Sequence, residues 1–324
     1  MLKLKTHQMV ISRKKTICHH ASTVLPLRDD HVLVAWFGGS YEKCDDVGIY
    51  LAEKDTGGFS EPRLMASSNQ PHWNPVLFQC HDGRIQLFYK VGREIPDWQT
   101  WLRESYDLGH TWSKPSELIP GDTSGGRGPV RNHPLVLKSG RIIAPASVER
   151  GLWRCFMDLS DDDGRTWRRS PMIEARGIAS SEPLAHGRGI IQPALWEDDG
   201  GIHALMRSGE GKIYRSDSAD EGETWTPAIP TSLPNNNSGI DVIRLDCGIL
   251  LLVSNPVGES FGPRTPLTVS ASPDGGITWE TQCVLEAGPG EFSYPSIASA
   301  GNQIWITYTY RRENIAFWEF DWLD

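Results

Sequence analysis

Residues 160–167 read SDDDGRTW, and the pattern Ser-x-Asp-x-Gly-x-Thr-Trp that they define occurs four times in the 324-residue chain. The copies begin at Ser105, Ser160, Ser218 and Ser272, at intervals of 55, 58 and 54 residues. A weaker copy, EKDTGGFS from Glu53, precedes the first intact one by 52 residues. A period of this length indicates a propeller or a solenoid, and six units of 54 residues fill the chain.

The chemistry of this turn motif is that of a tight turn. Its Asp carboxylate can accept backbone N–H groups across the turn, and its Gly can adopt a positive φ. Its Trp ring is expected to anchor the turn against a sheet. We interpret the repeated carboxylates as structural, because a residue present in every unit supports every unit whereas catalysis needs a unique constellation. These carboxylates belong to Asp107, Asp162, Asp220 and Asp274.

Short apolar runs surround each copy, bounded by Gly, Asp or Asn, as in GRIQLFYKV, GGIHALMRS and NQIWITYTY. Such runs are typical of strands joined by hairpin turns. Four strands in each repeat match a propeller blade. We therefore predict an all-β, six-bladed β-propeller that occupies residues 1–324 as a single domain. The segment from Leu4 to Ile11 should pair with the last blade, because closure removes exposed strand edges.

A second repeat places a polar residue before Pro at the start of an apolar strand. It occurs at Asn74-Pro75, His133-Pro134, Gln192-Pro193 and Tyr294-Pro295. His20 corresponds in the first unit, and the region from Ser238 to Asp241 in the fifth. If these strands are innermost, they begin near residues 20, 74, 133, 192, 239 and 294. Six different polar side chains at one phase should then converge on the channel, where a functional site breaks the symmetry of the fold.

Composition and charge exclude several partners. The net charge of −9 would repel a phosphate backbone, so we expect no nucleic-acid partner. No run of residues approaches the roughly 20 apolar residues that span a bilayer, so we expect no membrane insertion. The first twenty residues contain basic side chains throughout and no apolar core of signal-peptide length, which predicts a cytoplasmic protein. The oligomeric state stays open.

These repeats resemble those of the sialidase superfamily over essentially the whole chain. The resemblance implies a site in which three arginines bind a sugar carboxylate, a Tyr activated by a Glu attacks the anomeric carbon, and an Asp protonates the leaving group. Tyr294 matches the nucleophile, Arg207 and Arg264 match two arginines, and Asp45 or Asp46 matches the acid.

Three positions depart from that family pattern. His20 stands in place of the first arginine, Gln192 in place of the activating Glu, and Thr309 in place of a second Glu. The resemblance therefore predicts a divergent exo-glycosidase for an acidic saccharide. Tyr294, His20, Asp45, Asp46 and Gln192 form its catalytic set. Its substrate-binding set is Arg207, Arg264, Asn74, Arg131, His133, Asp241 and Arg312.

Two alternatives remain open. His and Tyr side chains, with Arg to neutralise a carboxylate, also suit a uronate-specific polysaccharide lyase. A carbohydrate-binding propeller without catalysis would need the arginines alone. We expect no cofactor and no metal, because His19, His20, His72 and His133 lack a tight ligand spacing. The identity of the sugar and the stereochemistry stay open.

Overall fold

The protein was analysed as a computed structural model that describes residues 1–28, 31–178 and 187–323. Within these ranges, 25 strands form six antiparallel sheets, each a blade of a six-bladed β-propeller. The predicted all-β fold is confirmed. The described residues contain no helix long and apolar enough to cross a membrane.

The blades follow one another along the chain, and the first and second have these elements. The first contains β2 (Cys18–Pro26), β3 (Val32–Gly39), β4 (Gly48–Asp55), β5 (Gly58–Phe59) and β6 (Arg63–Ala66). The second contains β7 (His72–Gln79), β8 (Ile85–Val91), β9 (Gln99–Ser105) and β10 (Ser116–Glu117), with a 3₁₀ turn at Ile95–Asp97.

The third and fourth blades are also four-stranded. The third contains β11 (Leu135–Val136), β12 (Ile142–Val148), β13 (Arg154–Ser160) and β14 (Arg168–Arg169). The fourth contains β15 (Ile190–Asp198), β16 (Gly201–Ser208), β17 (Lys212–Ser218) and β18 (Ile229–Pro234).

The last two blades complete the ring. The fifth contains β19 (Asp241–Arg244), β20 (Leu250–Ser254), β21 (Leu267–Ser272) and β22 (Glu280–Glu286). The sixth contains β23 (Phe292–Ala300), β24 (Gln303–Tyr310), β25 (Asn314–Trp322) and β1 (Leu2–Met9).

The amino-terminal strand closes the propeller. β1 pairs antiparallel with β25 and places Leu4 opposite Phe320 and Met9 opposite Ala316. The predicted pairing of this segment with the last blade is therefore confirmed. Closure leaves both ends of the chain in one sheet and covers an edge that would otherwise invite aggregation.

The inner strands of the six blades are β2, β7, β11, β15, β19 and β23, and each begins two residues from its predicted start. We call the face on which they begin the upper face. Neighbouring strands are antiparallel, so the second strand of each blade ends on the upper face. Side chains at these two sets of strand ends can therefore meet above the central channel.

The turn motif has the predicted hydrogen bonds. In the copy at Ser160, the serine hydroxyl donates to Asp162 and accepts the N–H of Gly164, both at 2.8 Å. Thr166 donates its N–H and hydroxyl to the two oxygens of Asp162, at 2.8 and 2.6 Å. The Trp167 ring is 9% exposed and packs edge-on against Phe88 of the second blade. The motif therefore also supports the contact between blades.

Candidate active site

A β-bulge marks the start of four inner strands. The pairing register shifts at residues 20–23, 73–76, 191–194 and 293–296. One residue in each bulge has a positive φ: Ala21 (51°), Asn74 (40°), Gln192 (54°) and Tyr294 (54°). Bulges are frequent beside active sites, because the extra residue re-aims a side chain. They define one equivalent position, the bulge position, on the upper face.

The strand register identifies the bulge position in the third and fifth blades. In each of these blades and in the fourth, the serine of the turn motif pairs with a residue of the second strand, which in turn pairs with a residue of the inner strand. In the third, fourth and fifth blades these inner-strand residues are Val136, Glu197 and Arg244. Five residues before each of these lie Arg131, Gln192 and Gly239. A Cβ atom on Gly239 would lie 2.9 Å from Nε of Arg131 and 3.4 Å from Cα of Tyr294. The missing side chain therefore makes room for Arg131 beside Tyr294.

The predicted common phase is correct for Asn74, Gln192 and Tyr294, and wrong for the other three positions. His20 precedes the bulge residue of its blade by one residue, whereas His133 and Asp241 lie two residues beyond the bulge position. Pro134 does not mark the bulge position of the third blade, because Asn132 occupies the place that Pro holds after Asn74, Gln192 and Tyr294. The Asn132 amide donates across the blade boundary to the carbonyl oxygens of residues 192 and 193, at 3.1 and 2.9 Å.

His133 and Asp241 lie deeper in the channel and have protein partners. The Asp241 carboxylate accepts the N–H groups of Ile297 and Val242, both at 3.0 Å, and His133 Nε2 lies 3.0 Å from Thr23 Oγ1. Burial raises the pKa of Asp241 to about 7 and lowers that of His133 to about 4. Both residues border a cavity of about 590 Å³ that extends toward the lower ends of the inner strands.

Tyr294 lies at the centre of a cationic cluster. The guanidinium carbons of Arg131, Arg207 and Arg264 lie 5.2, 5.5 and 5.3 Å from the centre of its ring. The His20 ring lies 4.3 Å from the Tyr294 ring. Arg207 donates from Nη1 to the phenol oxygen at 2.9 Å. The structure therefore brings together five of the predicted site residues.

The arginines change the acidity of the phenol. Burial alone would raise the pKa of Tyr294, but the charges of Arg207 and Arg264 and the hydrogen bond from Arg207 outweigh burial and lower the pKa. A cation favours the charged form of a neighbouring acid. The arrangement thus stabilises a phenolate at Tyr294.

Arg207 is 5% exposed, and its acceptors in the described part of the chain are neutral oxygens. Nε and Nη2 donate to Oδ1 of Asn237 at 3.1 and 3.0 Å, and Nη1 donates to Oε1 of Gln192 at 3.1 Å and to Tyr294. A buried charge normally has a charged partner. An anionic ligand would supply one here.

Arg131 lies beneath Tyr294 and is 4% exposed. It donates to the side chain of Asn132 and to the carbonyl oxygen of Pro295, and among the described residues its Nε has no hydrogen-bond partner. Burial lowers its pKa to about 10, which still leaves the guanidinium charged at neutral pH. Arg131 therefore adds positive charge from below the site.

Two carboxylates hold the remaining arginines. Glu291 accepts from Arg264 Nη1 at 2.6 Å, and its two oxygens accept from Arg312 Nε at 3.0 and 3.1 Å. Burial would raise the pKa of Glu291, but the two guanidinium charges outweigh it and lower that pKa. Arg312 also donates to Glu42, which joins the loop after β3 to the sixth blade.

His20 is a buried, neutral imidazole. Burial, followed by the charges of Arg312 and Arg264, lowers its pKa well below the ordinary range. Its Nδ1 lies 2.8 Å from the hydroxyl of Thr309, which also accepts the N–H of Ala21 at 3.1 Å. The described residues offer its Nε2 no hydrogen-bond partner. Nε2 is thus the ring nitrogen that remains for a ligand.

Asp45 and Asp46 lie on the exposed loop after β3 and have other partners. Asp46 accepts from the N–H and hydroxyl of Ser40 at 2.9 and 2.6 Å, and Asp45 pairs with Arg93. Among the described contacts of this loop, the one with the arginine cluster is made by Glu42.

Sequence reasoning missed Glu42, Glu291 and Asn237, whose contacts with the arginines join different segments. The one usable signal was the position of Glu291, three residues before Tyr294. The Asn237 contact depends on the left-handed backbone of that residue, with a φ of 60°. Such long-range contacts are not visible in one sequence.

A possible group of metal ligands occurs away from this site. Donor atoms of Cys80, Asp82 and Asp163 lie within 4.8 Å of one another at a turn motif. Arg84 and Arg165 lie 3.5 and 3.0 Å from the Asp82 carboxylate and balance its charge. Two cations in this place disfavour a bound metal ion.

A protein-family model described as a BNR repeat-like domain matches residues 30–306. The chain is 26% identical over 277 residues to a sialidase of Clostridium perfringens, a match covering 73% of this chain and 69% of that protein. It is 28% identical over 176 residues to a sialidase of Micromonospora viridifaciens, covering 50% of this chain and 24% of that protein. The chain therefore spans about a quarter of the second relative.

Solved structures share the fold. A Dyadobacter fermentans protein of unknown function superposes with a TM-score of 0.79 at 16% identity, covering 99% of both chains. The Hadza microbial sialidase Hz136 superposes with a TM-score of 0.76 at 17% identity, covering 94% of this chain and 66% of that one. Trypanosoma rangeli sialidase in complex with sialic acid gives 0.70 at 14% identity, with coverages of 99% and 58%. At such identities the likeness establishes the fold alone.

Proposed function

Because the chain belongs to the BNR repeat-like domain family, we propose that it is a divergent exo-glycosidase of the sialidase superfamily that acts on a carboxylate-bearing sugar. One observation carries the proposal: the buried guanidinium of Arg207 has neutral acceptors among the described residues and donates to Tyr294. A carboxylate bound there would add a countercharge to the cluster of Arg131, Arg207 and Arg264 around this ring.

Binding of the acidic sugar rests on Arg207 and Arg264. A guanidinium presents a planar fork that binds a carboxylate through two parallel hydrogen bonds. Glu291 fixes the orientation of Arg264, and Arg131 contributes positive charge from beneath the Tyr294 ring. Among the arginines of this site, Arg264 pairs with Glu291, and Arg312 pairs with Glu42 and Glu291.

Tyr294 is the proposed nucleophile. Gln192 cannot accept its proton, so the carboxylate that activates this Tyr in the family pattern is missing at that position. The charges of Arg207 and Arg264 act in its place, since they lower the pKa of the phenol. A nucleophile with a lowered pKa is a recognised alternative to an adjacent base.

A uronate-specific lyase is the second candidate, and His20 favours it. Its imidazole is neutral and lies against Tyr294. A lyase removes the proton next to the carboxylate and expels the neighbouring glycosidic oxygen, and a neutral His and a Tyr can share those proton transfers while arginines stabilise the developing charge. The amide of Gln192 is no obstacle to that chemistry.

Product analysis separates these functions. The protein is incubated with sialosides, uronosides and acidic oligosaccharides, and the products are analysed by mass and by near-ultraviolet absorbance. A hydrolase releases a saturated acidic monosaccharide, with the mass of water added across the cleaved bond. An unsaturated, absorbing product would replace this proposal by the lyase, and saturable binding without any product would make the protein a carbohydrate-binding propeller.

A further inference from the structure

A carboxyl group outside the predicted site lies at the end of the second strand of the third blade. Ile142 and Ile202 occupy equivalent positions, because each pairs with the serine of the turn motif in its own blade. Five residues further along the two strands, Ser147 of β12 therefore corresponds to Arg207 of β16. Glu149 lies two residues beyond Ser147, toward the upper face. The loop after β12 therefore brings a carboxyl group to the rim above the level of Arg207.

The strand that precedes Glu149 lies beside the fourth blade. The Ser147 hydroxyl accepts the N–H of Gln192 at 3.3 Å, so this side of β12 faces the bulge of that blade. Glu149 comes directly after Val148, the last residue of β12. Glu149 accordingly feels the charge of Arg207, the arginine that holds Gln192 and Tyr294.

Glu149 has the environment of a proton-transfer group. It is partly buried, and no hydrogen bond or ion pair engages its carboxylate within the described residues. Burial raises its pKa to about 7, although Arg207 acts in the opposite direction. Because an efficient general acid has a pKa near the working pH, this group can both give and accept a proton at neutral pH.

Four other carboxyl groups on the upper face already have partners. Glu42 and Glu291 pair with arginines, Asp45 pairs with Arg93, and Asp46 caps the backbone of residue 40. The amide at position 192 carries no acidic proton. Hydrolysis needs an acid for the leaving oxygen and a base for the attacking water.

We propose that Glu149 is the acid and base of the hydrolysis proposed above, on which this inference rests. The oxygen of Tyr294 attacks the anomeric carbon, and the phenol proton passes to solvent. The glycosidic C–O bond breaks as the Glu149 carboxyl transfers its proton to the departing oxygen. Glu149, now a carboxylate, takes a proton from water, and the hydroxide displaces the phenolate of Tyr294 from the anomeric carbon.

The test compares Glu149→Gln with wild type on two glycosides of the same acidic sugar, one with a 4-nitrophenol leaving group and one with an alkyl alcohol. Nitrophenolate departs without protonation, whereas an alkoxide does not. The variant should lose roughly 10²- to 10⁴-fold in kcat/KM on the alkyl glycoside, and far less on the nitrophenyl glycoside. Added azide should yield the glycosyl azide, because an anionic nucleophile needs no base.

The pH profile supplies a second readout. Wild type should lose kcat/KM as the pH rises through about 7, where Glu149 gives up its proton, and the variant should lack this limb. Glu259→Gln, which changes an exposed Glu on another loop of the upper face, is the matched control and should behave as wild type. Thermal unfolding checks that each variant folds. If the Gln variant does not fold, Glu149→Asp is used instead. Its carboxyl group is one methylene further from the leaving oxygen, so this variant should show the same dependence on the leaving group.

The outcomes distinguish the two proposals. Equal losses on both glycosides, or an alkaline limb that persists in the variant, would overturn the role of Glu149 and leave the hydrolase intact. A wild-type protein that cleaves neither glycoside nor any acidic saccharide would overturn the hydrolase, and the role of Glu149 with it.

Discussion

Arg207 donates a hydrogen bond from Nη1 to the phenol oxygen of Tyr294 over 2.9 Å, and the same nitrogen holds the amide oxygen of Gln192. The phenol therefore has a cation as its immediate partner, where the sialidase pattern has a carboxylate. A cation stabilises the phenolate directly, whereas a carboxylate removes the proton. In the proposed hydrolase, Gln192 thus changes how Tyr294 is activated.

Replacing Tyr294 by Phe tests the nucleophile. Tyr294→Phe removes the oxygen that would bond to the anomeric carbon, but keeps the ring on which three guanidinium groups rest. Turnover should fall by at least about 10²-fold, whereas the Kd of the acidic sugar, measured by calorimetry, should change little. Full turnover by the variant would contradict the proposed role.

Arg207 and Arg264 should carry the affinity for a carboxylate. Arg207→Ala and Arg264→Ala each remove a charge-assisted partner worth about 1.5–3 kcal/mol, which corresponds to roughly 10- to 150-fold in Kd. Arg244→Ala, at the opposite end of the channel, is the control and should bind as wild type does. Equal Kd values for all three variants would argue against carboxylate recognition here.

The turn motif made the fold predictable, whereas much of the site was not. Ser160, Asp162 and Gly164 bond within a few residues of one another, so their spacing in the sequence reports their geometry. Tyr294 and Arg207 were also identified, since the resemblance assigned them by local motifs. The contact between Glu291 and Arg312 joins the residue before β23 to the turn between β24 and β25, and nothing local in the sequence signals it.

Arg131 and Gly239 illustrate why the ring of bulge residues was only partly predicted. The sequence marks a bulge position where Pro follows it, and the first, third and fifth blades lack that Pro. Their register became clear only from the strand pairing. Gly239 has no side chain, and Arg131 occupies the space that a side chain at this position would fill.

Trp167 should contribute strongly to stability. Its ring is 9% exposed and packs against Phe88 of the neighbouring blade. Trp167→Ala should lower the free energy of unfolding by about 3–5 kcal/mol, measured by urea denaturation. Trp279→Ala, at the same place in the last turn motif but less buried, should cost less. Similar small losses in both variants would contradict a structural role for the buried ring.

Asp241 should make stability depend on pH. Burial raises its pKa to about 7 in the folded protein, from an ordinary value of 3.8. The stabilisation that the buried, protonated Asp241 contributes to the folded state is fully present below the pKa of this group in the unfolded chain. It is lost as the pH rises through about 7. Asp241→Asn removes this titration, so its unfolding free energy should decline less than that of wild type between pH 4 and 8. The control Asp246→Asn changes an exposed carboxylate. Parallel pH curves for wild type and Asp241→Asn would contradict the prediction.

Gln192→Glu should separate binding from turnover. The new carboxylate would lie where Oε1 of Gln192 now accepts from Arg207 at 3.1 Å. It would pair with that guanidinium and compete with the sugar carboxylate, so the Kd should rise by about tenfold or more. It would also offer the phenol a base, so kcat should rise although affinity falls.

Because the added negative charge disfavours the phenolate, the pKa of Tyr294 should increase in Gln192→Glu. Ultraviolet titration, with Tyr294→Phe as the blank, measures that pKa, and Gln192→Met controls for loss of the amide alone. An unchanged Kd together with an unchanged phenol pKa would show that Arg207 does not couple position 192 to Tyr294.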